Sequence, residues 1–407
     1  MTPDPYRHLQ EIVLAFGARP ATGDAEARLR DYLKRHLHEC GLTVFEQPFR
    51  SVPSLTPAWL TTALLFVLSA GLAWTSYALA WLAGAISSAL GMAMFWGLVS
   101  GRWDVMRFFP QRDTANLIAI APAEGNPTRR VVLIAHMDTQ RAALMWHPKH
   151  VRAFGRNFQL QAAVLIAHTL LALALSLTPF LGATWHLWLA RTVMTIGGLV
   201  ALYGMAMLLH RERFLPYVQG ANDNGSGVAV VLSLMEHLAT NPLPHTEVWG
   251  VFTSCEEVGR PAGAFAFEQE YGATLRDAEF LVVDHVGLGE PRYLIAEAML
   301  PRARASAELI SEMEQLAQAC PEWRLKPSAV PHGAYTDALP FYLRGYRAIA
   351  LWCEVEPGIP PNWHWLTDTL ENISPDDLQR AYEVVQAFVQ GKIATDVAQS
   401  KRADTQL

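Results

Sequence analysis

The chain alternates between two hydrophobic textures. In the first, short β-branched runs are apolar throughout, as strands buried on both faces are: Val131-Val132-Leu133-Ile134-Ala135, Trp249-Gly250-Val251-Phe252-Thr253, Phe280-Leu281-Val282-Val283 and Ala348-Ile349-Ala350-Leu351-Trp352. Between them lie stretches of helical periodicity. Pro5 to Phe16 reads as one helix, and Ala25 to Cys40 as a second behind the cap Thr22-Gly23-Asp24, with Leu29, Tyr32, Leu33 and Leu37 on one face. Gly227 to Ala239, Ala303 to Ala319, and Ser374-Pro375 onward to about Gln390 read as three more. Leu42 to Phe49 and Thr114 to Ile120 read as strands. The latter is expected to pair with the strand into His136 as a hairpin, or to lie beside it, across the turn Glu124-Gly125-Asn126-Pro127. Strands alternating with helices predict an α/β fold.

Two blocks have the second texture. From Pro57 to Ser100 there is no Asp, Glu, Lys, Arg or His, and from about Leu160 to Leu209 the ionisable residues are His168, His186 and Arg191 alone. A helix crosses a bilayer with about 20 apolar residues, so each block is long enough for two crossings. The first turns near Trp74-Thr75-Ser76-Tyr77. The second comprises helices at about Ala162 to Leu181 and Leu187 to Leu209, interrupted by Thr178-Pro179 and Gly182-Ala183-Thr184. Gly84 with Ser88, and Ala85 with Ala89, suit close helix packing in lipid. His168 reads as hydrogen-bonded within the bundle, and Arg191 as reaching the far interface. The expected organisation is a discontinuous domain over 1–56, 101–157 and 211–394, transmembrane hairpins at 57–100 and 158–210, and a disordered tail at 395–407.

Two hairpins return the chain to its starting side, so all polar segments share one face of the membrane. Arg50, Arg102, Arg107, Arg112, Lys149, Arg152, Arg156, Arg211 and Arg213 flank the hairpins on that side, against Arg191 near the tips. By the positive-inside rule, that face is cytoplasmic. Composition agrees with a membrane protein: charged residues make up 17% of the 407, there are 13 Trp, and the mean hydropathy is +0.13. A net charge of -6 offers no basic field for nucleic acid. Cys40, Cys255, Cys320 and Cys353 form no CxxC pattern and read as free thiols.

The chemistry gathers where the buried strands end. Gly220-Ala221-Asn222-Asp223-Asn224-Gly225-Ser226-Gly227 opens a helix. Alone, it would be an Asx-turn with an N-cap. Its company changes that reading. One strand runs into His136-Met137-Asp138, another ends at Cys255-Glu256-Glu257, a third at Asp284, and Trp363-His364-Trp365 follows near the end of the chain. In an open α/β sheet these strand ends line one crevice. Zinc takes imidazole nitrogen and carboxylate oxygen, and a pair of zinc ions needs a bridging carboxylate. Asp223 is the candidate bridge, with His136 and Asp284 on one metal and Glu257 and His364 on the other. Asp138 could accept the second N–H of the His136 imidazole, and Glu256 would be free to take a proton from water. Without the other pieces, Glu256-Glu257 would read as an exposed acidic pair at a helix start.

His136-x-Asp138, the Gly220 to Gly227 stretch, Glu256-Glu257-x-Gly259, Asp284 and His364, in this order, resemble the five-ligand pattern of metallopeptidase family twenty-eight, the dizinc aminopeptidases. The resemblance covers everything but the two apolar blocks. It implies a mixed central β-sheet flanked by helices on both faces, two zinc ions, a peptide substrate and Glu256 as general base. Tyr335-Thr336-Asp337-Ala338-Leu339-Pro340-Phe341 resembles the family's signature near the substrate pocket, which brings in Asp337. Many members carry Tyr before the last histidine, where this chain has Trp363. His332 and Tyr335 are candidates for the oxyanion donor that Trp363 cannot be. The Trp-His pair resembles the glutaminyl cyclases, single-zinc relatives of the same fold, so cyclisation is one alternative. A catalytically inactive receptor or scaffold is another. The expected whole is thus a peptidase domain with two inserted transmembrane hairpins, bound to the bilayer.

Overall fold

The computed structural model describes residues 3–181, 186–297 and 300–391; the expected break at Gly182 to Thr184 and the expected tail at 395–407 lie outside the described residues. The chain divides into two compact units. One takes the residues up to Pro53, Gln111–Ala142, and those from Tyr217 on; the other takes Ser54–Pro110 and Ala143–Pro216.

The first unit is built on a mixed sheet. Its strands are β1 (Thr43–Ser51), β2 (Arg112–Ala121), β3 (Glu124–His136), β4 (Pro244–Thr253), β5 (Glu279–Val283) and β6 (Glu290–Leu294), then β7 (Ala296–Glu297) and β8 (Ala303–Arg304) as a separate pair, and β9 (Lys326–Ser328) and β10 (Arg347–Glu354). The eight-stranded sheet has the order β1-β2-β4-β3-β5-β10-β6-β9. Its centre, β4-β3-β5-β10, is all parallel, and β2 and β6 flank it antiparallel. Val131 to Ala135 of β3 are wholly buried, which is why they read as an unbroken apolar run. In the expected hairpin β2 and β3 would be neighbours. Instead β4 lies between them, antiparallel to β2 and parallel to β3, because both of its neighbours bury apolar residues against Val248, Val251 and Phe252. The helix expected from Ala303 begins only at Ala307, after β8, because Ser306 caps it by accepting from Leu309 N–H.

The helices of both units run, in order, α1 (Pro5–Phe16), α2 (Asp24–Glu39), α3 (Thr56–Leu72), α4 (Ala78–Ser100), α5 (Phe154–Leu181), α6 (His186–Phe214), α7 (Gly227–Thr240), α8 (Ala262–Tyr271), α9 (Ala307–Ala319), α10 (Leu339–Leu343) and α11 (Pro375–Gln390). Around the sheet, α1, α2, α7, α9 and α11 form one connected layer and α8 with α10 another; α2 and α8 both rest on β1 and β2, so the sheet is flanked by helices. In α7 every residue from Gly227 to Met235 is buried. It is a core helix rather than an amphipathic one.

The second unit is a ring of four helices: α3 packs on α4 and α6, and α5 on α4 and α6. Among the described residues, three stretches are long and apolar enough to cross a membrane, Ala78–Ser100, Val151–Pro179 and Leu187–Phe214. Against four expected crossings, α3 has 17 residues, at the short end of the spanning range. Small polar side chains stitch the ring. Ser88 Oγ donates to Thr169 Oγ1 at 3.0 Å, Ser87 Oγ to Leu65 O at 2.8 Å, and His168 Nε2 meets Ser69 Oγ at 3.1 Å. Arg191 turns inward to donate to the carbonyls of Ala73 and Thr75 beyond the end of α3, with its guanidinium over the Trp74 ring.

Candidate metal centre

The carboxyl ends of β3, β4 and β5 deliver His136, the Ser254 to Glu257 segment and Asp284 to one place, and the turn before α7 brings Asp223. That turn depends on glycine. Gly220 has φ +66 and a Cβ there would stand 2.2 Å from Thr139 Cγ2, while a Cβ at Gly227 would stand 2.2 Å from Val283 O. The loop after β3 thus presses on one end of the turn and β5 on the other. Asn224 completes the hold, donating to Val283 O and accepting from Gly227 N–H.

Asp223 is fully surrounded. Its Oδ1 lies 3.2 Å from His136 Nε2, which is 3.6 Å from Asp284 Oδ1. Its Oδ2 lies 2.9 Å from His364 Nε2, itself 3.0 Å from Glu257 Oε1. Each oxygen of one carboxylate therefore faces its own imidazole and its own second carboxylate. Both Asp223 oxygens and Glu257 Oε1 are buried and make no hydrogen bond. Buried carboxylate oxygens aimed at imidazoles without hydrogen-bond geometry fit a cation site, and a donor set of imidazole and carboxylate fits zinc.

His285, absent from the sequence expectations, joins them. Its Nε2 stands 3.1 Å from Asp223 Oδ2 and its Nδ1 2.8 Å from Asp284 Oδ1. Electrostatics follow the crowding. Burial opposes ionisation of Asp284, yet the His285 and His136 imidazoles hold its carboxyl down, to about 2. Burial likewise disfavours the charged form of His364, and the Glu257 and Asp223 carboxylates overcome it, raising the imidazole to about 9.

The expected partner of His136 is met differently. Its Nδ1 is 3.1 Å from the Asp138 backbone carbonyl and 3.6 Å from the carboxylate. The Asp138 carboxylate instead accepts the backbone N–H groups of Glu256 and Glu257, each at 3.0 Å, so it positions the acidic pair. Glu256 is buried, and that burial pushes its carboxyl well above the usual range, with Glu257, Asp337 and Asp284 adding to the effect and His136 opposing it. The pair is therefore no exposed helix start. Gln140 Nε2 donates to Glu257 Oε2 at 2.9 Å, fixing that ligand candidate from behind.

Of the expected substrate residues, Tyr335 reaches the centre, with its hydroxyl 3.4 Å from the Glu256 carbonyl. Asp337 lies behind β4, accepting from Thr253 Oγ1 at 2.5 Å, and burial raises its carboxyl to about 7. Trp363 is buried edge-on against His285 and Trp352. His332 is half-buried, and its charged neighbour is Arg302 rather than any group of the centre.

Two further supports escaped the sequence reading. Asp368 accepts the N–H groups of Asn222 at 2.6 Å and Asp223 at 3.2 Å. Arg19, fully buried, donates to the carbonyls of Met137, Gly17, Gln219 and Gly220, and so ties the loop after β3 to the turn before α7.

Comparison with known proteins supports what the geometry suggests. No curated protein matches by sequence. Among solved structures, a zinc-dependent exopeptidase from Parabacteroides distasonis is 16% identical, with a TM-score of 0.54 over 96% of this chain and 100% of its own. A leucine aminopeptidase precursor from Bacteroides thetaiotaomicron is 13% identical, with a TM-score of 0.54 over 96% of each chain. Porphyromonas gingivalis glutaminyl cyclase is 15% identical, with a TM-score of 0.56 over 96% of this chain and 98% of its own. These likenesses show the fold. Residues 208–389, which hold Asp223, Glu256, Glu257, Asp284 and His364, match the family model of Peptidase family M28.

Proposed function

We propose that this chain is a membrane-anchored dizinc aminopeptidase. The observation that carries the reading is the Asp223 carboxylate, with one oxygen against His136 and Asp284 and the other against His364 and Glu257. His136 and Asp284 would hold one zinc ion, Glu257 and His364 the other, and Asp223 would bridge them. When bound, the metals supply Lewis acidity toward the substrate carbonyl and lower the pKa of a water at the site.

The chain's own groups do the rest. Glu256, next to the ligand candidate Glu257, takes a proton from the attacking water on a carboxylate oxygen and passes it to the leaving amine. Its backbone is held by Asp138, so the base is fixed by its neighbours rather than by a free side chain. The Tyr335 hydroxyl, beside the Glu256 carbonyl, is the donor for the developing oxyanion. Trp363 walls the pocket, and Asp337 braces it through Thr253. The helices α3 to α6 anchor the enzyme in the bilayer, with the peptidase domain on the cytoplasmic side by the positive-inside rule.

A second reading rests on the Trp363-His364 pair, which resembles the glutaminyl cyclases. There, the same centre would assist ring closure of an amino-terminal glutamine.

One experiment separates the readings: zinc counted by mass spectrometry on purified full-length protein and on Asp223→Asn, with hydrolysis of aminoacyl nitroanilides and cyclisation of glutaminyl peptides assayed on both. The expected outcome is that Asp223→Asn loses two zinc ions and nitroanilide hydrolysis together. Loss of one ion, with cyclisation as the activity lost, would replace the aminopeptidase by a cyclase. Unchanged metal content would overturn the site.

A further inference from the structure

A separate set of metal-ligating side chains lies where α1, α2 and α7 meet. His8 of α1, His36 of α2 and Glu236 of α7 bring their ligand atoms within 4.8 Å of one another. His8 Nε2 is 2.8 Å from Glu236 Oε2, and His36 Nε2 is 3.9 Å from Glu236 Oε1. Zinc binds such atoms at about 2.0–2.1 Å, so the corners of its tetrahedron stand roughly 3.3 Å apart. The observed separations bracket that value.

Two features go beyond an ion pair. His8 is wholly buried, and His36 Nε2, the atom that faces Glu236, is a buried nitrogen without a hydrogen bond. Buried polar atoms are ordinarily satisfied, so this arrangement calls for a ligand. Burial also lowers the His8 pKa, which keeps the neutral, ligating imidazole. On its other side, His8 Nδ1 faces Glu11 Oε2 at 3.8 Å, and Glu11 accepts the Tyr32 hydroxyl at 2.7 Å. A carboxylate behind a histidine is the usual outer support of a zinc ligand.

The fourth corner is supplied by sequence spacing. Cys40 follows His36 by four residues, retains helical backbone angles, and donates its N–H to the His36 carbonyl, so its side chain rises on the same helix face. Its thiol is half-buried. Arg7, 3.8 Å from Glu236 Oε2 and nearly half exposed, is the cation that a metal would displace to solvent.

We propose that His8, His36, Glu236 and Cys40 form a structural zinc site. It would staple α1 and α2 to α7. Arg19 sits in the connection between α1 and α2 and α7 leaves the Asp223 turn, so the staple would brace the catalytic loops from behind without taking part in the chemistry.

The test uses the full-length chain and counts metal rather than activity. In the Asp223→Asn background one zinc ion per chain should remain, and adding His36→Gln should remove it while circular dichroism stays unchanged. With cobalt(II) in place of zinc, the wild type should show thiolate-to-cobalt charge-transfer absorption, lost in Cys40→Ser. Added zinc should raise the unfolding midpoint of Asp223→Asn by several degrees and leave that of Asp223→Asn with His36→Gln unmoved. Equal zinc content and equal midpoints in the two backgrounds would overturn the site. A cobalt band that survives Cys40→Ser would remove Cys40 from it. Neither result depends on whether the chain is an aminopeptidase.

Discussion

Arg19 shows how much one buried side chain can hold. Burial lowers its pKa only to about 10, with Asp368, Asp138 and Asp223 opposing the fall, so it stays charged at neutral pH while its donors reach carbonyls of both ligand-bearing loops. Arg19→Ala leaves those carbonyls without partners and should destabilise the fold by about 3–5 kcal/mol in denaturant unfolding. Arg19→Lys should recover little of it, since an ammonium cannot span the same fork. Glu256→Gln should behave oppositely, with stability and zinc content kept and kcat lowered by about 10²–10⁴-fold. A third titration is worked by Glu297, buried under Thr336, which donates to it from N–H and Oγ1. Burial raises its carboxyl from 4.5 to about 8, against the pull of those bonds. The folded state therefore binds the extra proton, and stability falls as pH rises from the unfolded value of 4.5 through about 8. Melting curves across that window should slope down in the wild type and less steeply in Glu297→Gln, the remaining slope belonging to other raised carboxyls such as Asp337. Four of the five ligand candidates were legible because they follow an apolar run or sit among glycines, and His364 through its place in Trp363-His364-Trp365. His285 escaped because strand alternation sends neighbours of Asp284 to the other face, and only its left-handed backbone, φ 51, swings the imidazole back. Arg19 and Asp368 escaped because their partners lie far along the chain, and no spacing announces a hydrogen bond across 201 or 146 residues.

At the scale of elements, the turn from Gly220 to Gly227 couples the sheet to the metal centre. Gly227→Ala would push Cβ into Val283 O at 2.2 Å and Asn224 Oδ1 at 2.3 Å, so either β5 or the turn must yield. We expect about 1–3 kcal/mol of destabilisation, together with loss of bound zinc, since Asp223 moves with the turn. Loss of stability with full zinc content would show that the turn relaxes away from Asp223. Element type was legible wherever burial was uniform. Val131 to Ala135 and Phe280 to Val283 lie in parallel strands, and the Ser374-Pro375 start of α11 is capped as its residues imply, Ser374 accepting from Asp377 N–H. Neighbour order was not legible. The short link from β2 to β3 argued for a hairpin, but link length says nothing of a strand that begins 108 residues after β3 ends and takes the slot between them. Ala303 and Arg304 fit a helix by propensity and become β8 because Ala296 and Glu297 offer an edge, a tertiary preference stronger than local tendency.

At the scale of the whole molecule, the second unit has the burial pattern of a protein in lipid. A buried cluster inside it pairs the small Ala73, Ala172 and Ala190 with Leu175 and Met194, while Leu79, Ile86 and Leu90 of α4, Leu170, Leu173 and Leu177 of α5, and Ile196, Leu199 and Leu202 of α6 face outward, each more than a third exposed. A water-soluble bundle would place polar residues there. A soluble monomer rarely exposes apolar side chains contiguously over more than a few hundred square ångströms. Close packing through small residues, with Ser88 to Thr169 and His168 to Ser69 as polar links, is the way helices associate when lipid is as apolar as their side chains. The expected outcome is a protein that stays in the membrane pellet after alkaline carbonate extraction and needs detergent to leave it. The length of α3 sharpens the test. At 17 residues and 1.5 Å per residue it reaches about 25 Å, short of a hydrocarbon core of about 30 Å. A single cysteine placed at Tyr77, between α3 and α4, in a chain whose own four cysteines are replaced, should then react with a membrane-impermeant maleimide from the side opposite to one placed at Arg213. Equal labelling of both from one side would mean that α4 does not return the chain across the bilayer, and the anchor would have to be redrawn as helices lying on the membrane surface.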